Sequence, residues 1–176
     1  MRVTGGIYRG RKIQCPPGII RPAMDRMRES LFAILRDLEN KSFLDLFSGS
    51  GIVGIEAASR GADPIVLVEK DFKKKFIIRD NLKFVEQEVI LYLKPVEQFI
   101  RNYRNQFDFI YIDPPFKFPR KTEIIELIGS HGLLKQDGTI IIHIPREESL
   151  EAGISIYNLT DERRYGGSLL KFYRHL

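Results

Sequence analysis

Apolar positions along the chain fall into short continuous blocks set between stretches of helical spacing. The blocks near 42–47, 64–69, 88–93, 108–112 and 138–144 predict five strands, rich in Ile, Val, Leu and Phe. Between them, periodic apolar residues predict helices near 52–60, 71–85, 96–104 and 122–130. Strands and helices in strict alternation mean a mainly parallel sheet with helices on both faces. Two later strand-like runs, Ile154 to Leu159 and Ser168 to Arg174, flank a charged turn carrying Gly166-Gly167. They predict a closing antiparallel hairpin and bring the expected sheet to seven strands. Ahead of the first strand, Arg2 to Tyr8 and Arg11 to Cys15 read as a small β-hairpin, followed by a Pro16-Pro17-Gly18 turn. Arg21-Pro22 then opens a helix to about Leu38, with Leu31, Phe32, Ile34, Leu35 and Leu38 as its apolar stripe. The organisation expected is an N-terminal hairpin arm and helix over 1–40 and an α/β core over 41–176, forming one compact unit.

Two strand ends carry the candidate chemistry. The run Phe109 to Ile112 ends in Asp113-Pro114-Pro115-Phe116. A carboxylate and an aromatic ring thus stand at a strand's carboxyl end, the edge where open α/β sheets bind ligands. Neither proline has an N–H, so the Asp113 and Pro114 carbonyls lie in a stiff turn with no backbone donor at either proline. Acceptors beside a stacking face suit a planar ring bearing an exocyclic amine. A plain strand-to-loop turn with Phe116 tucked beneath it is the bland alternative. Upstream, Phe43 to Phe47 runs into Ser48-Gly49-Ser50-Gly51, where glycines let a cofactor lie against the backbone and the next helix's N-terminus. A second strand, Pro64 to Glu69, ends in an acid of the kind that takes both hydroxyls of a ribose. The stretch Gly49-Ser50-Gly51-Ile52-Val53-Gly54 also matches the dinucleotide fingerprint, with Glu69 at the expected distance. A nicotinamide-dependent dehydrogenase is therefore a rival reading. Asp45 argues against it, because a carboxylate there repels a pyrophosphate and suits a cofactor with an amino group and a sulfonium.

Charge adds a partner to this picture. The net charge is +5 over 176 residues. Residues 1–28 hold seven basic side chains against Asp25 alone, leaving 21 basic and 22 acidic residues in the remainder. An excess confined to one arm, with Tyr8 and three glycines interleaved, points to a polyanion such as nucleic acid. Lys73-Lys74-Lys75 reads instead as the wet face of a helix. The single Cys15 excludes an intrachain disulfide, and three scattered histidines argue against structural zinc, so no metal is expected. With no membrane-length apolar run and no leader pattern at Met1, a cytoplasmic protein is expected, acting as a monomer with no membrane partner.

The set Asp45 to Gly51, Glu69 and Asp113-Pro114-Pro115-Phe116 resembles the class I S-adenosylmethionine-dependent methyltransferases that modify exocyclic amines. The arm Arg2-Val-Thr-Gly-Gly-Ile-Tyr-Arg-Gly-Arg-Lys-Ile13, with Arg21-Pro22 and Asp25-Arg26-Met27-Arg28-Glu29-Ser30-Leu31-Phe32, resembles more closely the RsmD family. Members of that family are bacterial 16S ribosomal RNA guanine-N2 methyltransferases acting on the small ribosomal subunit. The resemblance runs over nearly the whole chain and implies a Rossmann-like fold with S-adenosyl-L-methionine as cofactor. It implies that Asp45 and the Gly49–Gly51 turn hold the methionine end and Glu69 the ribose, with Phe47, Ser48, Lys70 and Pro95 completing the cofactor set. Asp113 and the Pro114 carbonyl would accept hydrogen bonds from the guanine amine, and Phe116 would stack on the base. Arg9, Arg11, Lys12, Arg21, Arg26 and Arg28 would touch RNA, free or in a small-subunit particle. Two departures stand out. Ala23-Met24 replaces the hydroxyl residue the family carries after Arg-Pro. Lys94-Pro95 falls where an acidic or amide residue often meets the adenine amine, a hydrogen bond that a backbone group would then have to accept. A DNA adenine-N6 methyltransferase and a non-catalytic RNA-binding assembly factor of the same fold remain the alternatives.

Overall fold

The structure, a computed structural model, describes residues 1–16 and 22–176 of the chain, with the side chains of Pro22 and Ala23 left out of the description. Five strands form the parallel part of the sheet: β1 (Phe43–Leu46), β2 (Ile65–Glu69), β3 (Val89–Leu93), β4 (Phe107–Ile112) and β5 (Leu134–Pro145). Strands β6 (Gly153–Ile154), β7 (Tyr157–Tyr165) and β8 (Ser168–His175) complete it in antiparallel pairing. The helices are α1 (Pro22–Leu35), α2 (Ile52–Ser59), α3 (Lys75–Leu82), α4 (Val96–Asn102) and α5 (Lys121–Ser130). The strand order is β3-β2-β1-β4-β5-β8-β7-β6. The chain therefore reverses its direction of travel across the sheet between β1 and β4. Neighbouring connections leave in opposite directions there, which opens a crevice beyond the two strand ends.

Alternation along each strand divides the core between the two faces. Leu44, Leu46, Val66, Val68, Ile110 and Ile112 pack with Val96, Phe99, Ile124 and Ile128 of α4 and α5. Phe43, Ile65, Leu67, Tyr111 and Ile141 pack with Met27, Leu31 and Phe32 of α1, Ile55 and Ala58 of α2, and Val3, Tyr8 and Ile13 of the arm. Asp45 shares a strand face with Phe43, so its carboxylate is carried into the layer beneath α1 and α2. Both faces are covered, as the alternation of strands and helices predicts, and the inward positions are apolar apart from exceptions such as Asp45.

The elements differ from expectation where local chemistry overrides pattern. Among the described residues the sheet has eight strands, the extra one being the two-residue β6 at its edge. Residues 160–165, four of them charged and expected as a turn, belong to β7, and the hairpin turn shrinks to Gly166-Gly167. A strand near the sheet edge can leave such side chains in water, so polarity there does not forbid pairing. The arm makes a single isolated bridge, Arg2 to Lys12, where two short strands were expected. Gly6 sits at φ +75°, and a Cβ there would lie 1.8 Å from the Ser59 carbonyl oxygen, so the arm turns tightly against α2. The helix expected to reach Leu38 stops at Leu35, where Arg36 adopts φ 59°. Asp71 accepts from the Lys73 N–H at 3.0 Å and starts a 3-10 turn, Phe72–Lys74, ahead of α3. The Pro17-Gly18 part of the expected turn, and Arg21, lie outside the described residues.

Candidate active site

The crevice between β1 and β4 is built from backbone register upward. Leu46 stands beside Val68 on one side and Ile112 on the other, and Ile112 stands beside Ile142. The residues that follow these positions, Phe47, Glu69, Asp113 and His143, therefore meet along one sheet edge. Ser48 N–H donates to the Val68 carbonyl at 3.0 Å, and Asp113 N–H donates to the Leu46 carbonyl at 3.2 Å. Phe47 leaves the strand at φ 64°, a conformation that L residues with side chains adopt reluctantly. Gly51, at φ 80°, then ends the turn and starts α2, with Leu67 too near to welcome a side chain.

Two connected spaces occupy this edge. A cavity of about 330 Å³ is lined by Asp45, Phe47, Ser48, Gly49, Tyr111 and Asp113 from the strand ends. Its opposite wall is Cys15, Pro16, Met24, Met27, Arg28 and Leu31 from the arm and α1. A wider cleft of about 780 Å³ shares Phe47, Gly49 and Asp113 and runs on past Glu69 and Lys70 to Pro114, Pro115, Phe116 and His143. The glycine turn and the Asp113-Pro114-Pro115-Phe116 turn thus line adjoining spaces that share walls.

Asp45 is 1 % exposed, and its Oδ2 accepts from the Gly54 N–H at 3.2 Å. Burial holds its carboxyl well above the usual carboxylate range, opposed by the Gly54 N–H and reinforced by the charges of Asp113 and Glu69. A cation placed in the cavity would relieve that desolvated charge, which is the fit expected for an amino group or a sulfonium. Burial likewise pushes the Tyr111 hydroxyl up, with Asp113 and Asp45 adding to the effect. Ser48 is committed internally: its hydroxyl donates to the Asp45 carbonyl at 2.7 Å and accepts from Val68 N–H at 3.0 Å. Glu69 accepts from Gly49 N–H at 2.9 Å, Asp71 N–H at 2.9 Å and the Lys74 ammonium at 3.2 Å. A carboxylate has about four acceptor sites, so a ribose diol taking two of them would displace Lys74.

The Asp113-Pro114-Pro115-Phe116 turn is held from behind. Lys121, 5 % exposed, donates to the Phe116 carbonyl at 2.7 Å and the Phe118 carbonyl at 3.0 Å, and pairs with Glu148 at 2.8 Å. Phe118 N–H donates to the Pro115 carbonyl at 2.7 Å, and the Phe118 ring meets Phe47 edge-on at 5.2 Å. Asp113 Oδ1 accepts from His143 Nδ1 at 2.8 Å, and the Phe116 ring meets the imidazole edge-on at 5.5 Å.

The arm docks through buried charge. Glu56 on α2, fully buried, accepts from Arg28 Nε at 3.0 Å and Thr4 N–H at 2.6 Å, and also pairs with Arg60. Arg28 further donates to the Arg2 carbonyl at 2.8 Å and to Asp25 at 2.9 Å.

Among the sequence-predicted residues, Asp45, Phe47, Ser48, Gly49, Glu69, Lys70, Asp113, Pro114 and Phe116 all line the two spaces. Two of the cofactor set do not: Gly51 is buried at the start of α2, and Pro95 is exposed directly ahead of α4. Arg9, Arg11, Lys12 and Arg26 are exposed, whereas Arg28 is 3 % exposed with its guanidinium spent on Glu56, Asp25 and Arg2. Arg28 is therefore corrected from an RNA contact to a structural ion. Lys74, read from sequence as a wet-face lysine, is corrected to a lining residue paired with Glu69. His143 and Tyr111 were missed. The available signal for His143 was a lone polar residue inside Ile140 to Ile144, one strand over from Asp113. No group of His, Cys, Asp and Glu among the described residues could hold a metal ion.

A mainly parallel sheet with this order, an antiparallel final hairpin and a glycine turn opposite an acidic strand end defines the class I methyltransferase fold. Within that class, the chain belongs to the family described as conserved hypothetical protein 95, the RsmD family, whose model matches residues 1–174. It is 30 % identical over 178 residues to ribosomal RNA small subunit methyltransferase D of Escherichia coli K12, covering 99 % of this chain and 89 % of that protein. The protein of the same name from Haemophilus influenzae is 31 % identical over 158 residues, covering 85 % of this chain and 81 % of the relative. The solved structure of yhhF from Escherichia coli superposes with a TM-score of 0.89 at 29 % identity, covering 99 % of this chain and 97 % of that one.

Proposed function

We propose that this protein uses S-adenosyl-L-methionine to methylate the exocyclic N2 amine of a guanine in small-subunit ribosomal RNA. The observation that carries this reading is the shared opening between buried Asp45 and the Asp113-Pro114-Pro115-Phe116 turn. One side of it suits a cationic cofactor, and the other offers acceptors and a ring to a flat base with an amine. The names of the relatives support ribosomal RNA as the substrate class.

When bound, the cofactor supplies an electrophilic methyl group on a sulfonium. Asp45 and the Gly49–Gly51 turn would hold its charged end, and Glu69, released by Lys74, its ribose. The guanine amine is a poor nucleophile because its lone pair is delocalised into the ring. Hydrogen bonds from its two hydrogens to Asp113 and the Pro114 carbonyl draw the nitrogen toward tetrahedral geometry and localise that pair. Phe116 supports the base, and the Lys121 clasp keeps the turn from yielding. Catalysis here is mostly positioning with electrostatic help. Asp113 need not be a strong base, since the nitrogen becomes acidic once methylated. The base must leave its stack to enter, which favours a loop nucleotide. Exposed Arg9, Arg11, Lys12 and Arg26 on the arm and α1, together with Arg21, would grip the flanking phosphates.

The test is transfer of labelled methyl from S-adenosylmethionine to unmodified 16S RNA, to small-subunit particles and to adenine-containing DNA. N2-methylguanine formed by the parent and abolished by Asp113→Ala, with cofactor binding retained, is the expected result. Label in adenine alone would overturn the guanine assignment. Loss of cofactor binding in the variant would overturn the role given to Asp113.

A further inference from the structure

His143 lies at the carboxyl end of β5, 2 % exposed, inside a run of isoleucines where an apolar residue would pack without cost. Its Nδ1 is 2.8 Å from Asp113 Oδ1. Its Nε2 is buried with no hydrogen-bond partner. The Asp113 carboxylate can only accept, so Nδ1 must carry the hydrogen that joins them. A buried polar atom left without a partner is costly, and one kept at a sheet edge calls for a reason. The ring's single polar commitment is to the carboxylate that faces the cleft. Phe116, from the same turn, braces the ring edge-on at 5.5 Å. Both side chains line the wider cleft.

We propose that His143 is a positioning residue for Asp113. It pins one carboxylate oxygen, so that the other is presented in a fixed direction to the hydrogen of the incoming amine. An unpinned aspartate at the mouth of a cleft rotates freely about its terminal bond and spends part of its time turned away from the base. Asp113 itself is a quarter exposed, so packing alone does not stop that rotation. The Tyr111 hydroxyl also hydrogen-bonds Asp113, and the imidazole adds a second constraint from the β5 side. Phe116 shares the ring with Asp113, so His143 also fixes the acceptor relative to the surface on which the base stacks. This inference rests on the amine-methylation reading and adds to it a residue that orders the acceptor.

Asparagine and leucine separate the idea from a packing role. Asparagine carries its N–H₂ two bonds from Cβ, where histidine carries Nδ1, and can make the same donation. Leucine fills the volume without a donor. With His143→Leu, kcat should fall about a hundredfold, the cost of a misplaced reacting group, with cofactor affinity unchanged. His143→Asn should restore most of that loss. If Asn is as impaired as Leu while both variants fold and bind cofactor, the positioning role is overturned. A substrate-independent measurement runs alongside: ¹⁵N NMR of the histidine rings. It should show His143 with hydrogen on Nδ1, and the signal should move in Asp113→Asn. Hydrogen on Nε2 alone would overturn the pair. An intact pair in a parent protein that methylates none of the RNAs would instead overturn the functional reading, and the role of His143 with it.

Discussion

At the scale of single residues, the site is organised around an acid in an unfavourable place. Asp45 is buried, and desolvation lifts its carboxyl well above the ordinary value of 3.8, with Asp113 and Glu69 adding repulsion. A raised carboxyl value means that the folded state holds the proton more tightly than the unfolded chain. The stability contributed by Asp45 is therefore complete below pH 3.8 and is lost as pH rises toward the raised value. A bound cation reverses that sign, because it favours the ionised form. Without cofactor at pH 7, Asp45→Asn should melt higher than the parent, since its amide oxygen can still accept from Gly54 and no charge is buried. Each kcal/mol gained should raise the midpoint by roughly 2–4 °C. S-adenosylmethionine should stabilise the parent and leave the variant nearly unmoved, and the parent's affinity should rise with pH while the variant's stays flat. Titration calorimetry at several pH values reads this directly; a pH-dependent affinity surviving in the variant would assign the effect to another group.

At the scale of elements, arm, α1 and α2 form one unit because a buried carboxylate ties them. Glu56 contributes nothing to the surface, yet Arg28 from α1, Arg60 from the end of α2 and Thr4 from the arm all converge on it. Removing Glu56 leaves Arg28 buried with Asp25 and the Arg2 carbonyl as its oxygen partners, and breaking a buried pair typically costs about 3–5 kcal/mol. Glu56→Ala should lose stability on that order in urea. It should also speed amide exchange at Ile7 and Tyr8, whose N–H groups bond Ser59 on α2. Unchanged exchange in the arm would mean that its glycine turns, not the ion cluster, hold it down. This unit also marks where sequence legibility ends. The strand ends at Glu69 and Asp113 were legible because apolar runs stop there at a polar residue, and Asp45 because it is the one polar residue inside the run Phe43 to Phe47. Arg28 was not, because its burial depends on Glu56, twenty-eight positions away and indistinguishable in sequence from a solvated helix residue. Lys74 was misread for the related reason that a 3-10 turn, set by Asp71, rotates it toward Glu69. His143 was passed over because a lone histidine on an apolar strand looks like core until the register beside Asp113 is known.

At the scale of the whole molecule, the arm has two faces with different work. Its inner side, with Cys15, Pro16 and the adjoining α1 residues Met24 and Met27, walls the cavity beside Asp45. Its outer side presents Arg9, Arg11 and Lys12 to solvent, with Arg11 resting over the Phe84 ring at 5.3 Å. On the proposed function, the charge that would grip a backbone and the surface that would enclose the cofactor belong to one short segment, so RNA bound outside would lie close to the site inside. The division assigns separate consequences to substitutions on the two faces. Each phosphate neutralised on single-stranded RNA contributes about 0.7 to the slope of log affinity against log salt. Arg9→Ala with Arg11→Ala should therefore weaken RNA binding at low salt and shallow that slope by about 1.4, with cofactor affinity and melting temperature nearly unchanged. Arg28→Ala, although equally basic in sequence, should instead lower the melting temperature and leave the slope of the folded fraction as it was. Filter binding of 16S RNA across a salt series, with melts of the same samples, reads both. A slope unchanged in the double variant would move the RNA contact away from the outer arm, and a shallower slope in folded Arg28→Ala would return that arginine to the RNA-binding set.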